Sequence, residues 1–197
     1  MDSHRLGLTT FAAVMAVALL AAAPAGARTC SSYRDQNADV VVKSREAVIW
    51  STGDVFGCHR AARRARKLSV FHALFDFQLA GRYVAYYEYV EEFFEPVYVV
   101  VHVYDLVRGR EKLRDHMDSA GDLVVKRNGS VAWIESSDPA QEGERVWEVH
   151  AISNEDGRGE VVLDRGTGVE PTSLALSKDR RTVLWRNEGE RKSAPLR

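Results

Sequence analysis

The chain has 197 residues, of which 45% are apolar, and its 27 basic and 28 acidic side chains leave a net charge of −1. That balance gives no electrostatic case for a nucleic-acid partner, which wants a clear basic excess. No phosphate loop, G-x-S-x-G elbow, H-E-x-x-H pair or C-x-x-C occurs, so the sequence assigns no catalytic residue, no cofactor and no metal site.

Residues 1–27 read as a signal peptide. Leu6–Ala23 is almost wholly apolar, and Pro24 and the small-residue run Ala25-Gly26-Ala27 follow it, a cleavage pattern of the secretory type. The apolar stretch is about long enough to span a bilayer, so an uncleaved anchor is the competing reading. Cleavage leaves residues 28–197 as a single domain large enough for its own core. No later segment approaches membrane-spanning length, so the expected location is extracellular, either secreted or at the cell envelope. Scarce Lys against abundant Arg points to a high-GC bacterial genome.

Cys30 and Cys58 both lie in the mature chain. In an exported protein two thiols most simply form one disulfide, which closes a loop of roughly 28 residues and pins the mature N-terminus to the first group of strands. Lipidation of Cys30 is the alternative, although Ala27-Arg28-Thr29 is a poor lipoprotein lead-in.

From residue 39 onward, short apolar strands alternate with turns. Four of them reach an aromatic in the same way: Glu46–Trp50, Arg82–Tyr86, Gly129–Trp133 and Arg181–Trp185. Recurrence of strands near a period of about 40–50 residues is how propeller blades show themselves. The repeats run at about 39–70, 71–117, 118–168 and 169–197. In the first, strands are expected at 39–43, 47–52 and 55–60, with Gly53-Asp54 as a hairpin. In the second, 97–104 is apolar at both parities, so it has to be covered on both faces. The fourth stops one strand short, and 30–38 is available to fill its edge, which would remove an aggregation hazard.

Arg82-Tyr-Val-Ala-Tyr86, Val101-His-Val-Tyr-Asp-Leu106 and Arg108-Gly109-Arg110 together resemble blades of TolB-type and WD-repeat propellers, and small secreted propeller-like proteins of high-GC bacteria. Tyr104-Asp105 is the nearest approach to a Trp-Asp dipeptide. The resemblance implies a fold and a tendency to bind proteins, and it carries over no catalytic residue. The expected fold is therefore all-β, with four propeller-like blades of antiparallel strands in a small closed ring or an open stack. Monomer and dimer both stay open.

Few residues invite a functional reading. His102 and His150 occupy matched strands of their repeats, which favours blade packing with a hydrogen bond over a shared ligand role. The basic run of Arg60, Arg63, Arg64, Arg66 and Lys67 reads as a solvated outer strand or loop, or else as a contact for phosphate groups or an acidic partner. Glu92-Phe93-Phe94-Glu95 sets two rings between carboxylates in a loop, so Glu92, Phe93, Phe94 and Glu95 are the expected binding residues. The function expected is an exported binding or scaffold module that engages a protein or envelope polymer through blade loops. The alternative is a secreted hydrolase whose carboxylates converge from separate loops, drawn from Asp54, Asp76, Asp105 and Asp156.

Overall fold

The computed structural model describes residues 29–35, 37–69, 74–90, 98–136, 145–155 and 159–197. They form four antiparallel sheets that follow one another along the chain. Sheet one comprises β1 (Asp39–Lys43), β2 (Ala47–Ser51), β3 (Val55–His59) and β4 (Ala65–Ser69). Sheet two comprises β5 (Leu74–Ala80), β6 (Tyr83–Val90), β7 (Tyr98–Asp105) and β8 (Arg110–Met117). Sheet three comprises β9 (Ser119–Val125), β10 (Val131–Ser136), β11 (Trp147–Ile152) and β12 (Val161–Gly166). Sheet four has three strands, β13 (Ala175–Leu176), β14 (Thr182–Asn187) and β15 (Glu190–Pro195). Every sheet is a simple meander in chain order, and β1 packs beside β5 and β5 beside β9, as the inner strands of a propeller-like stack do.

The strand period of two sorts each sheet's side chains onto two faces, and in the two middle sheets both faces find cover. Ala47 and Ile49 of sheet one meet Val84 and Tyr86 of sheet two. Tyr83, Ala85 and Tyr87 on the opposite face of β6 meet Val131 and Trp133 of sheet three. Ala132 and Ile134 then meet Val183 and Trp185 of sheet four. β7 is buried almost throughout, which is why its run of valines shows no polar alternation. Gly57 lets Leu106 seat between the first two sheets, since a Cβ at Gly57 would stand 2.6 Å from a Leu106 methyl.

The first sheet has no preceding sheet to cover Val48, Trp50 and Phe56. Residues 30–38 do so instead, with Cys30, Tyr33 and Ala38 packed on that face. The short helix α1 (Ser32–Asp35) lies in this segment, the Tyr33 ring lies 5.7 Å from that of Trp50 at a tilt of 45°, and the Cys30–Cys58 disulfide is formed with its Cα atoms 5.4 Å apart. This corrects one expectation. The segment adds no strand to the fourth sheet, because the disulfide and Tyr33 hold it against the first. Among the described residues no apolar cluster joins sheet four to sheet one. The outward face of sheet four carries Thr182, Leu184, Arg186, Arg191 and Ser193, the mostly polar surface that ends a stack.

The basic run divides between two settings. Arg66 and Lys67 lie on β4, the outer strand of sheet one, while Arg60, Arg63 and Arg64 sit in the turn that leads into it.

Candidate functional site at the basic end of the stack

A meander reverses direction at every turn, so alternate turns of each sheet emerge at the same end. The turns β1–β2 and β3–β4, with their counterparts in the other sheets, share one end. Contacts tie them together: Glu46 of β1–β2 pairs with Arg127 of β9–β10, and Asn154 Nδ2 of β11–β12 donates to the Asn128 carbonyl at 2.7 Å. Leu196, just beyond β15, donates its backbone N–H to the Arg181 carbonyl at 2.9 Å.

This end is strongly basic. Sheet one contributes Arg45, Arg60, Arg63 and Arg64, and sheet two contributes Arg82 and Arg108. Sheet three adds Lys126 and Arg127, and sheet four adds Lys178, Arg180, Arg181 and Arg197. Against these twelve cations the described turn residues there hold only Glu46, Glu155, Glu160 and Asp179. At the opposite end the described connections carry Asp54, Asp118, Glu170 and Glu188 against a single cation, Arg145. Residues 70–73, 91–97 and 137–144 lie outside the described residues. A net charge of −1 thus conceals a charge polarity along the stack.

Between sheets three and four the basic end opens into a cleft of about 730 Å³, with Lys126 and Arg127 on one wall and Arg180 and Arg181 on the other. Arg197 and the buried Leu196 close its base. Buried Ser130 fixes that base: its hydroxyl donates to the Arg197 carbonyl and accepts the Asn154 N–H at 2.9 Å. Lys126 Nζ donates to the Leu196 carbonyl, and Arg197 N–H donates to Ser153 Oγ at 3.1 Å. The β13–β14 turn is equally well held. Asp179 accepts from the Ser177 hydroxyl at 2.7 Å and from Arg181 N–H at 3.1 Å, bonds that keep its carboxyl below the usual carboxylate range. Arg180 sits in the left-handed region at φ 59°, which a non-glycine residue adopts only where its surroundings impose it. A second concavity near the disulfide is lined by Arg34, Arg60 and Arg63, with no carboxylate. The Arg34 hydrogen bond holds the Tyr33 hydroxyl below its ordinary pKa.

The matched histidines turn out to be interior pins. His102 lies opposite Tyr86 across β6–β7 and stacks on it at 4.9 Å; His150 lies opposite Trp133 and stacks on it at 5.3 Å. Each is 5% exposed. His102 Nδ1 bonds Glu111, while its Nε2 lies 3.0 Å from Glu88 but out of line for a hydrogen bond. His150 bonds Glu160 through Nδ1 and Glu148 through Nε2 at 3.1 Å, with Glu135 at 3.5 Å. A neutral imidazole carries one N–H, so two carboxylate hydrogen bonds require one further proton within the His150 cluster. Burial pushes the Glu135 and Glu160 carboxyls up. Among the described residues no group of three or more His, Cys, Asp or Glu is arranged to hold a metal ion.

Glu92, Phe93, Phe94 and Glu95 lie outside the described residues, as does Asp156. The other candidate carboxylates do not converge. Asp54 pairs with Lys67 at 2.8 Å at the acidic end. Asp76 is within β5. Asp105 is fully buried near the basic end, where it accepts the N–H groups of Val107 and Arg108 at 3.1 and 3.0 Å and shapes the β7–β8 turn. Sequence reasoning missed the basic end because it summed charge over the whole chain. Assigning alternate turns to alternate ends is the signal that would have found it.

No protein-family profile matches this chain, and no curated protein matches it in sequence. Seven solved chains match in structure. One is a crystal structure of the tricorn protease, similar at 11% identity and a TM-score of 0.32 over 77% of this chain. The match takes in 24% of that protein, so the chain spans about a quarter of its length. No helix among the described residues is long and apolar enough to cross a membrane.

Proposed function

We propose that this protein is an exported binding module of the cell envelope or exterior that takes hold of an anionic partner, a protein or a polymer, through the turns at its basic end. The sorting of charge along the stack carries this reading. Converging cations on a rigid scaffold raise the local concentration of an anionic partner and speed its capture, with a steep dependence on salt. The apolar leader and the disulfide support export. The mature protein is expected to be retained on an immobilised polyanion at low salt and released as salt rises. Reversing Arg60, Arg63, Arg64, Arg180 and Arg181 to Glu should abolish retention while thermal unfolding stays cooperative. Undiminished retention by that variant would overturn the proposal.

A hydrolase is the second reading, favoured by one observation: Glu88 and Glu111 line a groove of about 450 Å³ beside His102, together with Arg114. The matched cluster at His150 argues that these groups serve packing. Hydrolysis of a polymer substrate that Glu111→Gln eliminates without loss of fold would reverse that preference.

A further inference from the structure

Resting on that reading, we infer that the cleft between sheets three and four is the partner site itself, and that it takes a polymer bearing successive phosphate groups. Cations stand on both walls, Lys126 and Arg127 facing Arg180 and Arg181, and with Arg197 they outnumber the two carboxylates that also line the cleft, Glu155 and Asp179. Arg180, Arg181 and Arg197 form no ion pair among the described residues, whereas Arg127 on the facing wall is paired with Glu46, and Arg82 elsewhere at this end with Asp105.

Three of the cleft's free cations are therefore arginines, whose planar fork matches the paired oxygens of a phosphate with two parallel hydrogen bonds. The walls are prearranged. The β13–β14 turn is closed by Ser177 and Asp179, and the base is closed by Ser130 and Ser153, so little ordering remains to be done when a ligand arrives. The apolar part of the lining is fully buried Leu196 and the single exposed ring of Pro195, too little to insert into a bilayer. A polymer therefore suits the cleft better than a lipid surface.

The test is titration calorimetry of the mature, disulfide-bonded protein with inorganic tripolyphosphate, repeated with polyglutamate and with phosphatidylglycerol vesicles. Saturable tripolyphosphate binding is expected, weakened at least tenfold in Arg180→Ser/Arg181→Ser and changed less than twofold in Arg60→Ser/Arg63→Ser/Arg64→Ser. Polyglutamate and vesicles are expected to bind at least tenfold more weakly. If the second variant loses binding and the first does not, the basic end still binds anions but the cleft assignment falls. If neither variant matters, both the cleft and the broader reading fall. Equal binding of polyglutamate or vesicles would overturn the phosphate-polymer assignment alone.

Discussion

The first sheet and the two middle sheets solve one packing problem with different chemistry. In all four sheets the second strand carries an aromatic, Trp50, Tyr86, Trp133 or Trp185, and the residue opposite it on the third strand is Phe56, His102, His150 or Lys192. In sheets two and three that residue is a histidine held by carboxylates under the preceding sheet. Where none precedes, Phe56 and Trp50 are stacked 5.8 Å apart beneath a disulfide-held segment. The last sheet's Lys192 pairs with Glu190 at 2.7 Å near solvent. The interior histidines come with carboxylates beside them, although His102 Nε2 and Trp50 Nε1 are left without a hydrogen bond, and the first sheet relies on a covalent tie instead.

The largest expected effect comes from removing an aromatic covered on both sides. Trp133→Ala should cost about 3–5 kcal/mol in denaturant unfolding, because it empties the space between sheets two and three. Trp50→Ala costing the same would show that residues 30–38 cover sheet one as effectively as a whole sheet.

Next in size is the disulfide. Cys30→Ser/Cys58→Ser should lose about 3–4 kcal/mol, the chain-entropy value for a loop of this length. Hydrogen exchange sharpens the comparison: protection of β2 and β3 should fall while that of β10 and β11 holds. Equal loss in both sheets would mean that the segment is no local cap.

A smaller effect concerns pH. Burial raises the Glu135 carboxyl, so the folded protein holds that proton more tightly than the unfolded chain. Its contribution to stability is present below the ordinary carboxylate range and is lost as pH rises through the raised value. Glu135→Gln should flatten that decline, as followed by unfolding midpoints across a pH series. Asp164 behaves oppositely. Burial alone would raise its carboxyl, but hydrogen bonds from Trp185 at 2.7 Å and Asn187 at 3.0 Å outweigh burial and lower it. Stability from Asp164 is therefore present above the ordinary range and lost as pH falls, and Asp164→Asn should remove that acid-side loss.

The smallest effect is expected at Lys192→Ala, within about 0.5 kcal/mol, since its ion pair is exposed. The matching change His150→Ala takes the imidazole from buried Glu135 and half-buried Glu148 and should cost several times more.

Much of the fold could be read from local pattern. The four aromatic-bearing strands, the two-faced run of β7, the hairpin at Gly53-Asp54 and the Cys30–Cys58 pairing all come from period, turn chemistry and thiol count. β4 was harder to read because Leu68 is its one large apolar residue, and only its ladder with β3 defines it as a strand. The histidine clusters were half legible. Their matched positions could be seen in the sequence, but not that Glu111 and Glu160 reach back from the fourth strand's edge.

By itself the sequence determined which segments extend, where they turn and how many sheets result, because those depend on neighbours a few residues apart. Only the tertiary structure decided where the N-terminal segment rests and which charges share an end. A chain reversing at every turn sends successive charged turns in opposite directions, so side chains adjacent in sequence part company and distant ones meet. A near-neutral total therefore says nothing about the field at either end.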